Sequence, residues 1–148
     1  MKLRNPRILV CGTLKGRGLE ILETAGCDVD YQPEHKPGSL ADVIEPFAGV
    51  IVHSRHFVDA ATIDAGSSLR VVGRAGAGVD NIDVQAATEA GVLVMNLPWG
   101  NTITAAEHTV ALMLALARNI PQASAALRAG TWDRKPYLGV ELSGKILG

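Results

Sequence analysis

The sequence predicts an α/β protein: a parallel sheet with helices on both faces. Three observations carry that prediction. Short, nearly continuous apolar runs recur over about the first 100 residues, they are rich in β-branched side chains, and segments of helical character with caps and glycine stops separate them. Continuously apolar strands alternating with helices belong to a parallel sheet covered on both sides.

Each element follows in order. Residues 7–11 form an apolar run closed by Gly12, and a helix is expected over about 14–24, stopped by Gly26. Residues 27–31 alternate with period two; after a loop with Pro33, Pro37 and Gly38, Ser39 is placed to cap a helix over about 40–45. Residues 49–52 read as a buried strand, Asp59 as the cap of a short helix through Ile63, and residues 69–73 as the next buried strand. A helix over about 84–90, ended by Gly91, leads into a strand over 92–96.

Pro98, Gly100 and Asn101 then break the pattern, which divides the chain into a first domain over 1–100 and a second segment over 101–148. A helix is expected over 102–119, with Thr104 and Glu107 spaced as a capping box. Its body, 110–117, is apolar all round and should be buried on every side, between two domains or two subunits. A further helix ends at 130–132, 134–137 is a turn or loop, and 142–148 reads as a loop entering a new apolar strand.

The composition excludes several classes. The 148 residues are 47% hydrophobic, enough for a core without disulfide or metal staples. Only 4% are aromatic and the formal net charge is -1, so no nucleic-acid partner is expected. The run at 110–117 falls short of the roughly 20 residues of a membrane span. The apolar run after Lys2, Arg4 and Arg7 is shorter than a signal-peptide core of at least about seven residues. Cys11 and Cys27 lie in no metal or redox spacing and read as reduced thiols of a cytoplasmic protein.

Candidate chemistry lies in the loops. Gly12-Thr13-Leu14-Lys15-Gly16-Arg17-Gly18 opens a helix after a strand but has neither phosphate-loop spacing nor G-x-G-x-x-G, so turn punctuation outweighs a phosphate cradle. Gly76-Ala77-Gly78-Val79-Asp80-Asn81 fails as a dinucleotide fingerprint because its sixth position is Asn. Its glycines, at the carboxyl end of a parallel strand, suit close approach of backbone to a small anion. His53 and His56 lack the acidic or sulfur partners of a metal site. On an extended backbone His53 and Arg55 share a side, which suits either polar contacts to an anion or a merely solvated rim. For Glu107 and His108 a capping Glu and a packed His outweigh an acid/base pair, and His35 supports no claim.

The stretch from Val72-Gly73-Arg74-Ala75-Gly76-Ala77-Gly78-Val79-Asp80-Asn81-Ile82-Asp83 continues through Ala86-Ala87-Thr88, Gly91-Val92-Leu93-Val94-Met95-Asn96-Leu97-Pro98, Gly100-Asn101-Thr102, Ala105-Ala106-Glu107 and Leu116-Ala117-Arg118-Asn119-Ile120-Pro121. Together with Gly130-Thr131-Trp132-Asp133-Arg134-Lys135 and Glu141-Leu142-Ser143-Gly144-Lys145, it resembles the NAD-dependent D-isomer 2-hydroxyacid dehydrogenases. It is most similar to the branch acting on 3-phosphoglycerate, in serine biosynthesis. The resemblance implies a flavodoxin-like substrate-binding domain over about 1–100 and a connector helix from Thr102 leading into an incomplete Rossmann nucleotide-binding domain. It also implies NAD as cofactor, a small 2-hydroxy or 2-oxo acid as substrate, and a homodimer or higher homo-oligomer for the complete protein.

Residue by residue, the resemblance places the backbone N–H groups of Ala77 and Gly78 on the substrate carboxylate and Asn101 beside the substrate. It places Thr102 and Glu107 along the cleft near the cofactor, without making Glu107 the catalytic acid. Where the branch carries Arg-Ser-x-Thr, this chain has His53-Ser54-Arg55-His56, which leaves Arg55, with His53 and Ser54, to hold a substrate phosphate. Trp99 fills a position often small or polar in the family. The dinucleotide fingerprint, the acidic ribose-binding residue and the catalytic Arg, Glu and His of the family all correspond to positions beyond Gly148. The 148 residues are therefore expected to be the N-terminal part of such an enzyme, without turnover alone and with weak NAD affinity at best. The alternative is a non-enzymatic binding or dimerisation module.

Overall fold

The computed structural model describes residues 5–14 and 16–148, so Lys2, Arg4 and Lys15 lie outside the described residues. The chain divides into two compact units, Met1–Gly100 and Asn101–Gly148.

The first unit is built on five parallel strands: β1 (Arg7–Cys11), β2 (Asp28–Gln32), β4 (Gly49–Val52), β6 (Val71–Arg74) and β7 (Leu93–Met95). Their spatial order is β2-β1-β4-β6-β7. Counting only these strands, that is the flavodoxin-like order, with the switch point between β1 and β4. Two short strands, β3 (Gly38–Ser39) and β5 (His56–Phe57), pair in parallel beside it.

Register decides what each face buries. Leu9, Val50, Val72 and Val94 stand in one row across the sheet. They point into the main core with Leu40, Ile44, Phe47, Ile63, Leu69 and Ala87. Each such fully buried aliphatic side chain contributes about 1.5–3 kcal/mol relative to exposure. The opposite face carries Ile8 and Ile51, near Leu14, Leu22 and Met95, around a hollow of about 510 Å³.

Caps explain where the helices begin. In α2 (Ala60–Ala65), the Asp59 carboxylate accepts from the Thr62 N–H at 2.9 Å. In α3 (Val84–Glu89), Asp83 does the same for Ala86. Helix α1 spans only Gly18–Thr24, not 14–24, because Gly16 has a φ of +74°, outside helical space. The helix expected over 40–45 is absent: Leu40, Ile44 and Phe47 drop into the core through a series of turns, and Ser39 pairs in β3 and bonds to Asp59 and Thr62.

The second unit consists of α4 (Thr102–Ala117), α5 (Ile120–Arg128) and a short 3-10 turn at Lys135–Tyr137. Asn119, at a φ of +52°, separates the two helices, which are bent by 66°. The Val140 N–H returns to the Ala117 carbonyl at 2.8 Å. The expected burial of α4 needs a second domain or subunit, and among the described residues its apolar side chains stay open. No residue of α4 is buried, and Leu116 is 79% exposed. Residues 142–148 form no strand, since none of the described residues provides a ladder for them, and Ile146 is 98% exposed. The capping box is also replaced: Asn101 is the N-cap, placing Thr104 inside the helix. No single helix among the described residues is long and apolar enough to cross a membrane.

Candidate functional site

Because the five strands are parallel, their carboxyl ends share one edge, where open α/β sheets place their ligands. Strand β1 delivers Gly12 and Thr13 to that edge, β4 delivers His53, Ser54 and Arg55, β6 delivers 75–78, and β7 delivers Asn96 and Leu97.

The glycine loop is held by its acceptors. The Leu97 N–H donates to the Gly76 carbonyl at 2.9 Å and the Asn96 Nδ2 donates to the Ala77 carbonyl at 2.7 Å. Neither the Ala77 nor the Gly78 N–H has an acceptor among the described residues. The loop thus has its carbonyls occupied and these two donors open. Arg74 adds positive charge: its guanidinium fills the space beside Gly76 where a Cβ would stand, and its Nη1 donates to the Ala75 carbonyl at 2.9 Å. Asp80 counters this at the rim, its Oδ1 lying 2.6 Å from where a Gly78 Cβ would be.

The neighbouring loop departs from the extended backbone expected at 53–55. A turn closes it, with the His56 N–H donating to the His53 carbonyl at 3.3 Å, because β4 ends at Val52 and β5 begins at His56. His53 therefore turns away from Arg55's solvent side: its half-buried ring packs on Gly12, and its Nε2 is buried without a partner. Ser54 and Arg55 are exposed. His56 is fully buried, with Nε2 on the His35 carbonyl at 3.2 Å and Nδ1 unpartnered. Burial pushes its pKa down, against the opposing pull of the His35 carbonyl. No group of three or more His, Cys, Asp or Glu among the described residues is arranged to hold a metal.

The first unit thus gathers His53, Ser54, Arg55, Ala77 and Gly78 on one edge. Asn101 and Thr102 belong to the second unit, where they open α4, Asn101 without a side-chain capping bond. Glu107 and His108 are both exposed on α4. Sequence reasoning missed Arg74 and Asn81, the latter read only as the residue that spoils a fingerprint. An Asn directly after a strand-end loop, able to donate twice and accept, was the available signal.

This edge can be set against known proteins. The sequence pattern of the D-isomer specific 2-hydroxyacid dehydrogenase catalytic domain matches residues 8–136. The chain belongs to this family. D-3-phosphoglycerate dehydrogenase of Rattus norvegicus is 45% identical over 142 residues, 96% of this chain and 27% of that protein. The chain therefore spans about a quarter of the length of that relative. Among solved structures, a glyoxylate reductase from Paecilomyes thermophila superposes with a TM-score of 0.82 at 26% identity, over 97% of this chain and 47% of the other. An NADPH-dependent glyoxylate/hydroxypyruvate reductase from Sinorhizobium meliloti, solved with NADP and malonate, gives a TM-score of 0.70 at 30% identity, over 93% and 42% of the two chains. The α/β fold that carries this edge is thus shared with both of those reductases.

Proposed function

We propose that this chain supplies the substrate-binding wall of an NAD-dependent oxidoreductase acting on the CH–OH group of a D-2-hydroxy acid, with 3-phosphoglycerate as the substrate. The observation that carries the reading is the pair of open N–H groups at Ala77 and Gly78, beside loop carbonyls that are already occupied. Two adjacent backbone donors at a strand end are a receptor for a carboxylate. Exposed Ser54 and Arg55, on the adjoining loop, are the groups we assign to the distal phosphate, with His53 setting the base of that loop. Asn101 is assigned to the substrate and Thr102 to the cofactor by resemblance.

The described residues do not fit a dinucleotide pyrophosphate. After Gly78 the chain turns through Asp80 and Asn81, and α3, only six residues long, begins at Val84. NAD is therefore assigned from the family resemblance, and no hydride step is routed through these residues. Nor do we assign an acid/base residue within the 148, and the chain alone is expected to be inactive. The open apolar faces of α4 support a homodimer, and the free thiols Cys11 and Cys27 support a cytoplasmic location.

The test is an NMR titration of the 15N-labelled chain with 3-phosphoglycerate, glyoxylate and inorganic phosphate. The Ala77 and Gly78 amides should respond to both acids, and Ser54 and Arg55 to the phosphorylated one. Silence at Ala77 and Gly78 with both acids would sink the reading.

A further inference from the structure

The two loops assigned to the substrate leave different strands, β4 and β6, and something must hold them at a fixed spacing. One buried side chain touches both. Asn81 is 4% exposed. Its Nδ2 donates to the His53 carbonyl at 3.0 Å and to the His56 carbonyl at 2.7 Å, the two ends of the first loop. Its Oδ1 accepts from Arg74 Nε at 3.1 Å, at the stem of the glycine loop. Arg74 passes the constraint on, through Nη1 on the Ala75 carbonyl and a guanidinium seated beside Gly76.

We propose that Asn81 is a positioning residue whose side chain fixes the spacing of the 53–56 and 74–78 loops, and so sets the affinity for a substrate with an anionic group at each end. This role rests on the site reading above. Backbone bonds fix only the ends: the Ala75 N–H on the Val52 carbonyl at 2.9 Å joins the stems of the two loops, and the Val58 N–H on the Asn81 carbonyl and the Asp83 N–H on the Val58 carbonyl hold the far end of the first. The Asn81 side chain reaches the His53 and His56 carbonyls between them. The residue type is demanding. A carboxamide offers two donors and an acceptor in one plane, whereas an ionised Asp would face two carbonyl oxygens with an oxygen, and Ala would offer nothing.

The test compares the wild-type chain with Asn81→Asp, Asn81→Ser and Asn81→Ala by NMR titration with 3-phosphoglycerate and by denaturant unfolding of the same samples. In the wild type the Ser54, Arg55, Ala77 and Gly78 amides should follow one binding curve. In Asn81→Asp, which keeps the volume and the contact to Arg74, affinity should fall roughly tenfold or more, and the two loops should follow separate curves. Asn81→Ser should fall between, and it carries the test with Asn81→Asp if the Ala variant does not fold. A lowered unfolding midpoint with unchanged affinity and a single curve would mean a structural role only and overturn the proposal, while leaving the site reading intact. No response in the wild type would overturn both.

Discussion

Gly12 and His53 meet at the carboxyl ends of adjacent strands: a Cβ on Gly12 would stand 2.7 Å from the Cδ2 of His53. The glycine is needed twice, for that contact and for its φ of +90°. Gly12→Ala should cost about 1–2 kcal/mol from the backbone alone, and more from displacing the imidazole. In a His53→Ala background the second part disappears, so the same substitution should cost less. Denaturant unfolding of the four proteins measures the difference; equal costs in both backgrounds would show that the ring does not enforce the glycine.

His56 makes stability depend on pH. Its ring is fully buried, and burial lowers its pKa from the ordinary 6.5; the charges of His35, Arg55 and His53 lower it further, while the hydrogen bond to the His35 carbonyl opposes the shift. Between the lowered native value and the ordinary one, the unfolded chain binds more protons than the native chain, so stability rises with pH in that window. The chain should be most stable above 6.5 and weaken as pH falls through the native pKa of His56. The His56 Cε1–H resonance should titrate below the ordinary range, and His56→Gln should flatten the slope of the unfolding midpoint there. An unchanged slope would assign the acid sensitivity to other groups.

The thiol of Cys11 should be inert. It is fully buried among core side chains, and burial, aided by the nearby Asp30 carboxylate, pushes its pKa up to about 11. Thiolate is the reactive form, so alkylation near neutral pH should reach Cys11 only after unfolding. Half-buried Cys27 should be modified first. Mass spectrometry of a brief iodoacetamide reaction, native against denatured, decides the order.

The sheet was legible because strands buried on both faces carry short β-branched runs, as in Val50-Ile51-Val52 and Val71-Val72. Helix α2 was legible because Asp59 announces its first turn, and α3 because Gly91 marks its end. The stretch at 40–45 was not. Leu40 and Ile44 have helical spacing, but that spacing records contact with the core rather than a helix of their own. The glycine loop could be found from local sequence, since two bare backbone positions at a strand end are a local property. Asn81 could not be assigned its role so easily, because its two carbonyl partners lie 28 and 25 residues away in the chain. The turn at 53–55 was hidden for a similar reason: β5 exists only because Gly38–Ser39 lies alongside to pair with it.

The reading of α4 as a helix buried on every side leads to the last prediction. Its apolar composition is as expected, yet Val110, Leu112, Leu114 and Leu116 are 45–79% exposed. Covering one Leu is worth about 1.5–3 kcal/mol, so a surface with several of them favours association. Leu112 and Leu116, four residues apart, share one helix face. The wild-type chain should sediment as a multiple of its 15.5 kDa. Leu112→Glu with Leu116→Glu should shift it toward the monomer while leaving the far-ultraviolet circular dichroism unchanged, since Glu is as good a helix former as Leu. A monomeric wild type would remove the support that α4 gives to a homodimer. A variant that still associates would move the interface to another face of the helix.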